Sequence, residues 1–353
     1  TLTVLLLVFG FSQLVWGPLS DRYGRRPVLL FGLGAYLLAA IGSMLAPSLA
    51  QLVLWRALQG AAMGASVMCA RAIVRDLYPP LEGARVMSRA FTGLGLIACI
   101  CAPLGGLLAD WLHWRAALAA LAVFGGAALW LVVWRYVESV PRRNPAALAP
   151  RVLFGTWRGI VVNPTFMAYT ALSSATYCGL FTLLATSSFV FIAEGGMSRT
   201  GYGLLMLTTA LAYIVGTFAC RRLLPRLGVR RCVALAGALS MAGGGGVALL
   251  ATLGVREGWA LIVPVWVFML AHGIHQPCST SGAVGPFPQA AGAASALNGF
   301  VQMMAAFGMG LWLAQATGPA LTALAHGMAF WGAATATIAW TLVARLGDVR
   351  AMP

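Results

Sequence analysis

Charged residues are scarce in this chain, and lysine is absent from it. Charged side chains make up 9% of the 353 residues, whereas a soluble domain carries about a quarter. Without lysine the chain cannot form the Gly-x-x-x-x-Gly-Lys-Ser/Thr loop that holds ATP phosphates. The seven cysteines show no metal-ligand spacing, and we expect them to be small, buried apolar side chains.

Long apolar runs, by contrast, are abundant. The chain is 60% hydrophobic with a mean hydropathy of +0.86, and its runs are long enough for transmembrane helices. It lacks the sustained polar–apolar alternation of membrane β-barrels, and it shows no nucleophile–base pair or metal cluster. The sequence therefore predicts an all-α membrane protein that is not an enzyme and needs no cofactor or metal. Eleven spans are predicted, at about residues 1–19, 28–46, 49–71, 88–109, 114–134, 162–192, 202–219, 232–252, 259–279, 292–314 and 320–343.

The basic residues mark one side of the predicted bundle. A net charge of +15 often indicates nucleic-acid binding, but here the arginines lie in short loops between apolar spans. Eighteen arginines fall on one side of the predicted bundle and three on the other. Because arginine-rich short loops stay in the cytoplasm, we expect no nucleic-acid partner. We expect instead a multi-pass protein of the bacterial inner membrane with a cytoplasmic C-terminus.

One charged loop occurs twice along the chain. Residues 17–27 hold an acid, three arginines and two glycines, and residues 216–231 again hold two glycines and a basic ending but lack the acid. A repeat on the same side predicts two halves that arose by duplication of six spans. The stretch 139–160, rich in proline and arginine, predicts a linker. It would join an N-terminal bundle, 1–138, to a C-terminal bundle, 161–353.

Several groups of residues resemble signatures of the major facilitator superfamily. Its loop signature between spans two and three is similar to the residues Gly17, Asp21, Gly24, Arg25 and Arg26. Its drug-exporter signature in span four is similar to Leu52, Arg56, Gln59 and Gly60, and its antiporter signature in span five is similar to Pro103 and Gly106. Three further stretches resemble the Bcr/CflA drug-resistance subfamily: Arg71–Asp76, Ser187–Phe191 and Phe287–Leu297.

The resemblance implies a fold and a function. The fold is two six-helix bundles related by a pseudo-twofold axis around a central cavity, which move by alternating access. The function is multidrug efflux by drug/proton antiport, with amphipathic, cationic drugs and protons as partners and a monomer in the lipid bilayer as the unit. Two alternatives remain open. One is transport of another small solute or an exported metabolite, and the other is a membrane sensor or non-transporting truncated homologue.

The loop residues are expected to act as a conformational latch. In the family this acid pairs with the basic residue four places on and with an acid at the end of span four, which here are Arg25 and Asp76. Such a cluster forms in one conformation and breaks in the other. Gly17 is expected to allow close helix approach and Gly24 a tight turn. The alternative is a loop whose arginines only fix topology, but Asp21 has no use in topology.

Arg56 is costly inside a span unless it has a partner or water. The functional interpretation is an arginine that faces the cavity beside Gln59 and Gly60 and biases the protonation of a nearby acid. The alternative is an arginine that extends to the outer interface. None of the eight acids lies in the middle of a predicted span. Because the first charged loop follows only one span, we expect a further span before Thr1, with the coupling acid in it.

A cavity that accepts many drugs needs aromatic and flexible apolar surface with a few polar groups. The candidates are Tyr177, Phe181, Phe189, His272, Asn298 and Gln302. Aromatic side chains in membrane helices also face lipid or pack against neighbours. His272, one turn from His275, could relay protons, line the cavity or simply accept a hydrogen bond. These alternatives stay open at the level of sequence.

Overall fold

The computed structural model describes residues 2–140, 143–255, 257–316 and 318–347, without the side chains of residues 2–6, 80, 102–103, 105–107, 109–111 and 199–200. The described residues form helices and no strand. The helices are α1 Leu2–Tyr23, α2 Arg25–Leu45, α3 Leu49–Leu77, α4 Pro80–Trp111, α5 Trp114–Arg135, α6 Pro150–Val161, α7 Pro164–Ser188, α8 Arg199–Thr252, α9 Gly258–Val284, α10 Ala291–Gln315, α11 Ala320–Ile338 and α12 Ala344–Leu346. Two π-helices, Phe189–Glu194 and Ala339–Val343, continue α7 and α11.

Local sequence signals explain where many of these helices begin. Ser48, Asn163 and Ser198 precede α3, α7 and α8, and each side chain accepts a hydrogen bond from a backbone N–H of the first turn. Proline opens α4, α6 and α7. Its fixed φ suits the first helical position, where its missing N–H costs nothing. The polar breaks between the apolar runs therefore start each helix as well as separate it from the last.

The span count agrees with the sequence. Within the described residues, nine helices are long and apolar enough to cross a membrane. One of them is α8, whose 54 residues comprise two segments that meet at Gly228. The N-terminal helix α1, with 22 residues, has the length of a further span. The predicted all-α membrane fold is thus confirmed.

The structure differs from the predicted boundaries in two places. The stretch 139–160 was expected to be a polar connection, yet it contains most of the helix α6. This helix buries Ile160 and leaves Phe154 65% exposed, and such an amphipathic helix suits an interface. Helices α3 and α4 continue past their predicted spans to Leu77 and back to Pro80, since hydropathy marks the apolar window of a helix and not its ends.

The two charged loops share an unusual backbone. Gly24 has φ 103° and ψ 165°, and Gly228 has φ 71° and ψ 172°. Only glycine adopts this region readily, so each loop reverses the chain within a single residue. A Cβ added to Gly24 would collide with the Glu138 carboxylate, whereas nothing lies within 4 Å of one added to Gly228.

Helices of the two predicted halves pack directly against one another. Helix α1 lies along α10, and α4 lies along α8 and α9. At the first of these contacts a Cβ added to Gly17 would lie 2.6 Å from the Ala296 Cβ and 2.8 Å from the Gly292 carbonyl oxygen. The close approach expected of Gly17 is therefore found between α1 and α10. The bundle boundaries at residues 138 and 161 stay a prediction.

Gly24→Ala is expected to lower the thermal unfolding midpoint in detergent more than Gly228→Ala. Both substitutions impose a strained φ, which costs about 1–3 kcal/mol, but only Gly24→Ala also displaces Glu138. Gly34→Ala, in a helix with open space around the glycine, serves as the control and should leave the midpoint unchanged or raise it slightly, because alanine favours a helix more than glycine does. Equal losses at positions 24 and 228 would show that the Glu138 contact contributes nothing.

Candidate functional site

The Asp21 cluster consists of Asp21, Arg25, Asp76 and Ser20, at the side of the bundle that carries most of the arginines, here called the Arg-rich side. Arg25 Nη1 donates to Asp21 Oδ1 at 2.7 Å and to Ser20 Oγ at 2.6 Å, and its Nε donates to Asp76 Oδ2 at 2.9 Å. The side chains of Arg25, Asp21 and Asp76 are only 3%, 6% and 1% exposed. One guanidinium thus joins the ends of α1, α2 and α3.

Asp21 also reaches the opposite half of the chain. Its Oδ1 accepts from the backbone N–H of Gly292 at 3.1 Å, and its Oδ2 accepts from that of Ala293 at 3.0 Å. These are N–H groups of the first turn of α10, which have no partner within their own helix. The positive end of the α10 dipole faces the carboxylate as well. The carboxylate therefore holds α1 and α10 together at the Arg-rich side.

A second carboxylate, that of Glu138, binds backbone N–H groups at the start of α2, as Asp21 does at the start of α10. Its two oxygens accept from the backbone N–H groups of Arg25 and Arg26 at 2.9 and 3.1 Å. Arg26 in turn donates to the carbonyl oxygens of Tyr136 and Val133 at the end of α5. Partial burial raises the pKa of Glu138, but the backbone N–H donors outweigh it and hold that pKa below 4.5.

Arg56 has polar neighbours on its own helix and on α2. Its Nη1 donates to Gln59 Oε1 at 2.9 Å, and Tyr36 of α2 lies close enough to interact with both side chains. Gln59 is 2% exposed, and its Nε2 has no hydrogen-bond partner. No described carboxylate forms an ion pair with Arg56. Pro103 and Gly106, the predicted antiporter residues, lie on α4. Their surroundings are outside the described part of the structure.

Buried polar side chains form a layer between α7, α9 and α10. Ser173 Oγ donates to Asn298 Oδ1 at 3.1 Å. Thr176 Oγ1 and His272 Nδ1 are 2.9 Å apart. All four side chains are at most 3% exposed. Of the three possibilities for His272, a hydrogen bond with a neighbouring helix is the one that this geometry contains.

The aromatic candidates have different surroundings. Tyr177 lies close enough to Arg71 of α3 for an electrostatic effect between them, and Gln302 Oε1 lies 3.5 Å from Arg71 Nη2. Phe181 lies beside Gly310 of α10. Phe189, at the start of the first π-helix, is 60% exposed, which favours the lipid-facing alternative. Tyr177 and Gln302 are therefore the candidates that the structure brings together, and Arg71 joins them.

Sequence analysis assigned no role to Glu138 or to the contacts of Arg71. Glu138 is one of only eight acids in the chain and follows the end of α5. The scarcity of acids is the sequence signal that could have marked it as a functional candidate. Arg71 belongs to a stretch that resembles the Bcr/CflA subfamily, but the direction of its side chain depends on how α3 packs. The α10 N–H groups that meet Asp21 carry no signal at all, since almost every residue has one.

Comparisons with known proteins agree with the helical membrane fold described above. The sequence pattern described as Major Facilitator Superfamily matches residues 1–307. Multidrug resistance protein D of Escherichia coli strain K12 is 32% identical to this chain over 305 residues, which cover 84% of the chain and 74% of that relative. The bicyclomycin resistance protein homolog of Haemophilus influenzae is 26% identical over 303 residues, which cover 86% of the chain and 76% of the relative.

A solved structure shares the fold. The proton:xylose symporter XylE superimposes with a TM-score of 0.80 at 14% identity, and the match covers 97% of this chain and 84% of the symporter chain. At that identity the likeness concerns the fold alone. The sequence relatives, and not this neighbour, bear on which solutes the chain handles.

Glu138→Gln is expected to lower stability at neutral pH by about 0.5–1 kcal/mol, because a neutral amide caps a helix less well than a carboxylate. The pKa of Glu138 is depressed in the folded protein, so its contribution is present above 4.5 and is lost as pH falls through the folded-state value. Unfolding midpoints of wild type and variant should therefore converge at low pH. Glu257→Gln, at an exposed helix start without a side-chain cap, is the control; a wild-type advantage that persists at acidic pH would contradict the assignment.

Proposed function

Because this chain belongs to the major facilitator superfamily, we propose that it exports drugs across the inner membrane in exchange for protons. The observation that carries the proposal is the Asp21 carboxylate bound to the first turn of α10, a contact between helices that an alternating-access transporter must separate. The Arg-rich side is proposed to face the cytoplasm, together with the C-terminus, on the distribution of arginines.

The relatives support drugs as the transported solutes. Their printed names are multidrug resistance protein D and bicyclomycin resistance protein homolog, and the span-four residues Arg56, Gln59 and Gly60 resemble the signature of drug exporters. We carry the substrate class of these relatives to this chain as amphipathic small molecules. The alternative of another small solute or metabolite is distinguished by growth assays, in which expression of an exporter raises drug tolerance.

The Asp21 cluster supports a latch. Burying a carboxylate and a guanidinium costs several kcal/mol unless each is paired. Arg25 is paired with Asp21 and Asp76, but Asp21 has its two backbone donors only while α10 meets α1 at the Arg-rich side. When α10 moves away, Asp21 loses its backbone donors and water replaces them. A second arrangement, with water on the Asp21 carboxylate, is therefore available to the chain, as alternating access requires.

Proton coupling is the part of the proposal that depends most on Arg56. A positive charge inside the bundle lowers the pKa of any acid that approaches it. The sequence predicts cationic drugs, a monomer and a coupling acid, and these expectations remain proposals. Among the described residues, the acids Asp21, Asp76, Glu138 and Glu194 lie at or near helix ends and not in the middle of a span. A cationic drug in the cavity would therefore be stabilised by the faces of aromatic rings.

Asp21→Asn is expected to abolish drug efflux while the protein still inserts and purifies. The neutral amide leaves Arg25 with only Asp76 and loses a charged acceptor at α10, and breaking such a pair costs about 3–5 kcal/mol, enough to shift the conformational balance more than tenfold. Ethidium efflux from inverted vesicles measures it. Asp21→Glu retains the charge and should keep partial activity. Undiminished efflux by Asp21→Asn would refute the latch.

Arg56→Ala is expected to lose proton-coupled efflux, whereas Arg56→Lys keeps part of it because the charge remains. Drug-induced proton release from proteoliposomes, recorded with a pH-sensitive dye, separates coupling from binding. Arg115→Ala, at the start of α5 on the opposite side from the Asp21 cluster, is the matched control. Normal coupling by Arg56→Ala would favour an arginine that only extends to the interface.

A further inference from the structure

Arg71 is a cation inside the bundle that pairs with no acid among the residues the structure describes. It lies on α3, five residues before Asp76, but Asp76 is paired with Arg25. No described carboxylate forms an ion pair with Arg71. Its Nη1 is buried without a hydrogen-bond partner, and its Nη2 has only the long 3.5 Å contact with Gln302. A guanidinium in this position is costly unless something negative or water joins it.

Three helices of the C-terminal part of the chain present polar pairs toward this region. The pairs are Ser173 and Tyr177 on α7, Gln276 and Thr280 on α9, and Asn298 and Gln302 on α10. Members of each pair are four residues apart and so share one helical face. One member of each is tied to the Arg71 surroundings: Tyr177 by electrostatic interaction, Thr280 by a shared cavity of about 10 Å³, and Gln302 by contact.

The free groups of this layer are mostly donors. Asn298 Oδ1 is occupied by the Ser173 hydroxyl, while Asn298 Nδ2 and Gln276 Nε2 have no partner. Thr280 Oγ1 is also unpartnered, and it is 2% exposed. Arg71 Nη1 is a further buried donor without a partner among the described residues. Buried donors of this kind are normally satisfied by protein or by ordered water, so the layer offers sites to a ligand that accepts hydrogen bonds.

We propose that Arg71 binds an anionic group, such as a carboxylate, of the amphipathic molecule that the protein transports. A carboxylate accepts two hydrogen bonds from a guanidinium at once and matches its shape. The cavity of about 10 Å³ beside Arg71 holds roughly one water, so binding requires the α3–α9 contact to open, as it does in alternating access. The inference rests on the proposed function in that the bound anion is taken to be transported.

The test compares an anionic and a cationic dye on the same purified protein in lipid nanodiscs. Fluorescein and ethidium are titrated by fluorescence anisotropy at neutral pH. Arg71→Gln is expected to weaken fluorescein binding about ten- to hundredfold, the effect of losing a charged hydrogen bond, and to leave ethidium binding unchanged. Arg71→Lys should fall between, and Tyr177→Phe should weaken fluorescein binding by a smaller factor. Unchanged ethidium binding also shows that each variant is folded.

The matched control is Arg89→Gln, which removes one positive charge at an exposed position of α4. It should change fluorescein affinity less than twofold. Equal weakening by Arg71→Gln and Arg89→Gln, or wild-type protein that binds no fluorescein, would overturn the inference. Ethidium efflux without fluorescein binding leaves the proposed exporter standing and sinks the anion site. Fluorescein binding that depends on Arg71, without proton-coupled efflux of either dye, supports the anion site and contradicts the proposed exporter.

Discussion

The Asp21 carboxylate joins the two predicted halves of the chain at the Arg-rich side. It accepts from Arg25 and from two backbone N–H groups of α10, so one buried anion satisfies a guanidinium and a helix terminus at once. Each of these groups would be costly to bury alone. Removal of α10 takes two backbone donors from Asp21 and leaves this buried carboxylate with Arg25 alone. The close packing at Gly17 is the steric side of the same contact.

Acids in this chain are few, and several share this use. Glu138 accepts from the first N–H groups of α2, and Glu194 accepts from those of Ala320 and Leu321 at the start of α11. A helix N-terminus offers unpaired donors and a partial positive charge, which explains why these acids lie at helix ends. The many arginines then stay near the interface or find carbonyl oxygens, as Arg26 and Arg75 do.

Much of the fold follows from hydropathy and from the repeated loop, because a bilayer forces apolar runs of fixed length into helices. The pairing of Arg25 with Asp21 and Asp76 also follows from spacing and resemblance. The partner on α10 does not, because its donors are backbone groups 271 and 272 positions away. The direction of Arg71 was likewise inaccessible, since it depends on which face of α3 meets α9 and α10. Helix α6 was missed because its apolar side is too short for a span signal.

The second charged loop shows what the acid adds. Gly228 has a positive φ like that of Gly24, yet the second loop, residues 216–231, contains no acid. Its helix α8 meets α4 through hydroxyl groups instead: Ser88 Oγ donates to the Thr217 carbonyl oxygen at 2.6 Å, and Arg221 Nη1 donates to Thr92 Oγ1 at 2.8 Å. Separation of α4 from α8 therefore exposes neutral acceptors and a cation that is already near solvent. Separation of α1 from α10 exposes a buried ion cluster, so the two pseudo-equivalent contacts respond differently to charge, and only the first is sensitive to the ionisation of an acid.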